Sequence, residues 1–256
     1  MLGRAPLAGF VNKVTPRGNL IGYAGLAVLD TLAILAGKPK ARRLTKPALM
    51  PVLAAAVSDP DPSPAQRRIG TALTLSAAGD TALLGSSRLA FLSGAGAFAG
   101  AHVNYLAAVH ELGERPGMLS YRPWLAAPYA LALAGFAAVL PKVARRTGWG
   151  EALAGLGYAG LLTAVGVATL DLRGRGGERN PGWDSSAARA AAGGALFVAS
   201  DLLVGVRRYR QAGGADGGRA DTLLDAGVMV SYTAAQALLA LGLTDLSRQQ
   251  KATPPA

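Results

Sequence analysis

The chain has 256 residues, 51% hydrophobic and only 16% charged, and its mean hydropathy of +0.29 argues for lipid as the solvent. With no cysteine and only two histidines, His102 and His110, disulfides, thiolate metal sites and a histidine-rich metal centre are excluded. The formal net charge of +11 gathers in short loops between apolar runs, a pattern that fits anionic lipid headgroups and not a nucleic-acid partner.

Residues 1–19 contain Arg4, Lys13 and Arg17 without a sustained apolar core, unlike a cleaved signal peptide, so the first spanning helix is expected to act as its own insertion signal. Eight apolar segments follow, at 20–37, 46–57, 69–86, 89–110, 124–141, 150–170, 188–206 and 222–243. Most approach the ~20 residues that cross a bilayer core. The second is short: Pro47 suits a first helical turn and Pro51 should kink the segment or leave its start irregular. The proline-rich stretch 59–64 cannot continue a helix, and 173–182 and 213–218 read as flexible connections. The expectation is an all-α, polytopic helix bundle of about eight transmembrane helices. It forms one integral membrane domain over 1–246, with a disordered polar tail at 247–256. Small residues let its helices approach closely. Lys and Arg divide 13 to 13 between the two sides, so the positive-inside rule leaves orientation open.

Two aspartates lie inside these segments: Asp80 in Gly-Asp-Thr-Ala-Leu-Leu and Asp201 in Ser-Asp-Leu-Leu. Each costs about 2.5–3.5 kcal/mol to insert near a helix centre, which favours a role in binding, proton handling or catalysis over mere packing. Segments 3–4 and 7–8 repeat the order Asp80, Ala101-His102 and Asp201, Ala235-Gln236. A 4+4 parallel repeat follows, with both carboxylates about 8 Å from the same exit. Asp30 stands alone in segment 1, as apt for packing as for function. His102 and Tyr105 share a helix face, as do Tyr232 and Gln236, offering a ring, hydroxyls and an amide to an interior cavity or acting as interhelical glue. In a straight hairpin His102 lies about 10 Å deeper than Asp80. Lys46, opening segment 2, is the best candidate to hold a substrate phosphate, with Arg88 and Arg207 next. No nucleotide, serine-hydrolase or zinc-hydrolase motif is present, and Gly94, Gly96 and Gly100 sit in an apolar helix where they mean packing.

Lys46-Pro47-x-x-Met50-Pro51, Gly79-Asp80-x-Ala-Leu-Leu84, Phe98-x-x-x-His102-x-x-Tyr105, Leu196-Phe197-Val198-Ala199-Ser200-Asp201 and Tyr232-x-x-Ala235-Gln236, taken in this order, resemble the YhhN family of membrane proteins, which includes the lysoplasmalogenases. The resemblance implies hydrolysis of the vinyl ether bond of a lysoplasmalogen to a fatty aldehyde and a glycerophospho-alcohol. It implies a multi-pass plasma-membrane enzyme needing no cofactor and no metal, with a lysophospholipid and membrane lipids as partners. Protonation of the vinyl β-carbon makes an oxocarbenium ion that water attacks, chemistry that one carboxylic acid and one carboxylate perform in glycosidases. Asp80 and Asp201 would be that pair, with Lys46, His102, Tyr105, Tyr232 and Gln236 binding substrate. Which aspartate donates the proton is open at this stage. A proton-coupled transporter or a lipid-binding protein of the same fold answers to the same residues.

Overall fold

A computed structural model describes residues 15–113, 117–173, 185–212, 214 and 217–252. The N-terminal residues 1–14, most of the expected loop 173–182, part of 213–218 and the last four residues lie outside the described set. Among the described residues the chain is helical throughout: α1 (Pro16–Leu35), α2 (Pro39–Val57), α3 (Pro64–Ala82), α4 (Arg88–Glu111), the single turn α5 (Met118–Tyr121), a 3₁₀ turn (Pro123–Ala126), α6 (Ala127–Thr147), α7 (Trp149–Asp171), α8 (Ser186–Ala212) and α9 (Arg219–Ala252). Local chemistry sets several starts. Thr15 caps α1 by accepting from Gly18 N at 3.1 Å. Ser63 and Gln66 form a reciprocal capping box at α3, with Pro64 in the first turn where a missing N–H costs nothing.

Five of these helices are long and apolar enough to cross a bilayer: Pro16–Leu35, Pro123–Arg146, Trp149–Asp171, Ser186–Arg207 and Arg219–Ala252. The chain is a membrane protein, but the expected count of eight spans, and with it the 4+4 repeat, exceeds what length and hydropathy support. The long helices outside this set are α2, α3 and α4. Lys40, Arg42, Arg43 and Lys46 load α2, Arg67 and Arg68 open α3, and all three carry the polar side chains that the bundle turns inward.

Boundaries shift in three places. Helix α2 begins at Pro39, not at Lys46, and runs unbroken with Pro47 and Pro51 inside it. The charged residues of its first turns interrupt the apolar run that marked the segment, while proline's fixed φ suits a helix even where its lost N–H weakens one. Helix α8 continues through Arg207 and Arg210 to Ala212. Residues 247–252, expected in a disordered tail, are the last turns of α9.

Most sequential helices pack as neighbours, although α4 skips α5 and α6 to pack on α7, and α9 also touches α1, α2 and α3, which makes it the central strut of the bundle. Its contact with α8 is backbone to backbone: a Cβ at Gly242 would lie 2.5 Å from Ala190 N. Its register on α3 is pinned at one end, where Ser63 and Ser247 hydroxyls meet at 2.6 Å and Lys251 pairs with Asp61 at 2.8 Å. From that pin, the 17 residues to Asp80 and the 15 back to Tyr232 climb about 25 and 22 Å in antiparallel directions. Asp80 and Tyr232 therefore arrive at one level. Large side chains such as Ile21 (73% exposed) and Leu131 (72%) point outward, as a lipid-facing surface requires.

Candidate functional site

Asp80 lies two residues before the end of α3 and is 1% exposed. Its Oδ2 accepts from the Tyr232 hydroxyl at 2.8 Å, and its Oδ1 faces Lys46 Nζ at 3.3 Å. One turn along α9, Gln236 accepts from the Tyr105 hydroxyl at 2.6 Å and donates to Ser76 Oγ at 3.1 Å. Its amide also reaches the Tyr232 hydroxyl at 3.4 Å. Helices α2, α3, α4 and α9 thus contribute to one network, Lys46–Asp80–Tyr232–Gln236–Tyr105, with Ser76 on its flank. Gly79 permits it: a Cβ there would be 2.7 Å from the Phe98 ring, and that ring packs edge-on against Tyr232 at 5.9 Å. The glycine beside the aspartate makes room for the wall that holds the aspartate's donor.

Asp30 sits next to this network. Fully buried, it accepts from Thr45 Oγ1 at 2.6 Å and pairs with Arg42 Nε at 3.4 Å, while lying close enough to Asp80 for their charges to interact. Its partners tie α1 to α2, a packing task. Nearby, the Tyr23 hydroxyl donates to the carbonyl of Thr233 at 2.7 Å and ties α1 to α9.

Asp201 belongs to a second cluster. Its carboxyl lies within hydrogen-bonding reach of the Tyr158 hydroxyl of α7, which also meets His102 Nε2 of α4 at 3.3 Å. His102 is 0% exposed, and its Nδ1 has no hydrogen-bond partner among the described residues. Between the clusters stands Phe197, edge-on to His102 at 4.8 Å and to Tyr232 at 5.7 Å. Asp80 and Asp201 share no hydrogen-bond partner among the described residues. Nor are they equally far from their helix ends, since α8 continues 11 residues past Asp201.

Of the residues singled out from sequence, Lys46, Asp80, Tyr105, Tyr232 and Gln236 meet in one network, and His102 and Asp201 join through Tyr158. The side chain of Lys46 is 14% exposed and turned onto Asp80. The reserve candidates are engaged as well, Arg88 with Glu151 at 2.6 Å and Arg207 with Asp225 at 3.2 Å. Ser76 and Tyr158 escaped the sequence reading. Ser76 stands one turn before Asp80, on the same helix face, and that spacing could have revealed it. Tyr158 gives no such signal, because its partners come from other helices. Among the described residues no three of His, Cys, Asp or Glu are grouped to hold a metal ion.

A model of the YhhN family matches residues 41–243, a stretch that contains both clusters. No curated protein matches the chain, and no solved structure does.

Proposed function

The chain belongs to the YhhN family, and from that premise we propose that it is a lysoplasmalogenase-like hydrolase of the plasma membrane that cleaves the vinyl ether bond of a lysophospholipid. The observation that carries the reading is the unequal provision of its two intramembrane aspartates. Asp80 has an ammonium group at 3.3 Å and a hydroxyl donor at 2.8 Å, surroundings that compensate a negative charge. Among the described residues Asp201 has the Tyr158 hydroxyl and no cation. In a medium that penalises an uncompensated charge, Asp80 is the carboxylate and Asp201 the carboxylic acid.

The roles follow. Asp201 supplies the proton that reaches the vinyl β-carbon, and the charge of Asp80 stabilises the oxocarbenium ion and takes a proton from the water that adds at the α-carbon. The hemiacetal collapses to the fatty aldehyde and the glycerophospho-alcohol. Tyr105, Tyr232 and Gln236 orient the polar end of the substrate, His102 and Phe197 border its alkenyl chain, and Lys46 contributes through Asp80 before it contributes to phosphate binding. The exposed Lys40 and Arg43 on the first turns of α2 are the better match for a headgroup phosphate. Residues 1–246 act as one membrane domain in this reading.

The test is aldehyde release from a lysoplasmalogen by the purified, detergent-solubilised protein. Asp80→Asn and Asp201→Asn should each abolish turnover while the protein stays folded. Aldehyde production that survives both substitutions refutes the assignment, and lipid flux across vesicles without cleavage points to a carrier instead.

A further inference from the structure

The Tyr158 hydroxyl has two partners and a single hydrogen to share between them: the carboxyl of Asp201 and Nε2 of His102 at 3.3 Å. A neutral imidazole likewise carries one N–H. Two arrangements leave no carboxylic or phenolic hydrogen unused. With Asp201 ionised, the phenol donates to the carboxylate, its oxygen accepts from Nε2–H, and Nδ1 is a bare acceptor. With Asp201 protonated, the carboxylic O–H donates to the phenol oxygen, the phenol hydrogen turns to Nε2, and Nδ1 bears the hydrogen. The protonation of Asp201 thereby sets the tautomer of a ring it does not touch.

A second observation says where this string ends. His102 is 0% exposed, yet its Nδ1 has no partner among the described residues, and a buried polar atom left unmatched costs about 1–3 kcal/mol. A group aimed at a packing role would have its other nitrogen satisfied. Phe197 covers the ring edge-on and offers it no hydrogen bond.

We infer that Asp201, Tyr158 and His102 form a proton relay whose outlet is Nδ1 of His102, the atom that faces the reacting lipid. Three protons each move one step. The Asp201 proton passes to the phenol oxygen, the phenol proton to Nε2, and the Nδ1 proton to the acceptor, which is the vinyl β-carbon. Asp201 ends as a carboxylate and the imidazole stays neutral, and the reverse sequence recharges the string from water. The proposal rests on the reading of Asp201 as proton donor and changes which atom delivers the proton. His102 becomes a catalytic residue and Tyr158 the group that couples it to Asp201.

The chain's two histidines make the relay directly visible. Imidazole nitrogen NMR of histidine-labelled protein in detergent gives signals from His102 and His110 only, and His110→Gln assigns them. Asp201→Asn should move both His102 nitrogen resonances although it lies one residue removed from the ring, and in a Tyr158→Phe background the same substitution should have no effect. His102 resonances that ignore Asp201→Asn, or that respond equally with and without the Tyr158 hydroxyl, overturn the relay. In turnover, Tyr158→Phe should lower kcat on the order of 10²-fold and leave KM within about twofold, and an unchanged kcat overturns the delivery role. Should the wild-type protein release no aldehyde while the nitrogen coupling holds, the hydrolase reading falls and the relay stands.

Discussion

The Asp80 and Asp201 clusters meet at Phe197 in the same bundle, through Tyr232 on one side and His102 on the other, but the neighbours of the two aspartates differ in kind. Around Asp80 the network reaches across α2, α3, α4 and α9 and includes the cation of Lys46. Around Asp201 the string is linear, passes through a single phenol and stops at a nitrogen with no partner among the described residues. A buried carboxyl that is to stay charged needs compensation from several directions, whereas one that is to give up a proton needs a path and few competing donors. The chain thus takes two aspartates in similar sequence contexts and separates their chemistry by what other helices bring to them.

The most severe way to break the contrast is to remove either titratable group. Asp80→Asn and Asp201→Asn should each reduce aldehyde release by about 10²–10⁴-fold, measured as kcat on solubilised protein. Next comes stability, where the two sites should part. Lys46→Ala leaves the Asp80 charge buried and unpaired and should cost about 3–5 kcal/mol, read as a lowered thermal midpoint in detergent. Lys46→Met combined with Asp80→Leu removes both charges and should recover most of that loss. Lys46→Ala should also lower kcat more than it raises KM, the reverse of a simple phosphate hook. A smaller effect is expected of Tyr105→Phe, which leaves the Gln236 carbonyl without its donor and should cost about 1–3 kcal/mol in the same melt. The smallest lies at the far end of α3. There Asp59 accepts from the Asp61 backbone N–H at 3.1 Å, and this bond holds its carboxyl below the usual carboxylate range. Because the folded value is the lower one, its contribution to stability is present above the unfolded value of about 3.9 and fades as pH falls through that region. A slight drop in thermal midpoint between pH 5 and pH 3 that Asp59→Asn removes would register it.

Spacing along the chain revealed what one helix does by itself. The four-residue interval of Tyr232 and Gln236 put both on one face, and both indeed serve one network. Asp80 was conspicuous because charge is costly in an apolar run. Register between helices leaves no comparable trace. Nothing in the order of residues says that Lys46 turns to Asp80 and not to a headgroup, or that His102 joins Asp201 through Tyr158. The start of α2 was missed because Lys40, Arg42 and Arg43 break the apolar pattern without breaking the helix. Helices α2, α3 and α4 likewise fall outside the five apolar spans; Lys40, Arg42, Arg43 and Lys46 lower the hydropathy of α2, and Arg67 and Arg68 that of α3.

Helix α9 runs 34 residues without interruption, about 50 Å, against a bilayer core of about 30 Å. Such a rod is long enough to work as a lever. Its outer turns are fastened at Ser247, Arg248 and Lys251, and the same rigid body carries Tyr232 and Gln236 some 20 Å inward. Whatever grips or releases that end, whether a fused tag, a truncation before Ser247 or a crowded headgroup layer, acts at a distance on the register of the Asp80 network. Loosening the anchor would let α9 slide against α3, and a slip of one residue is about 1.5 Å, enough to lift the Tyr232 hydroxyl off Asp80.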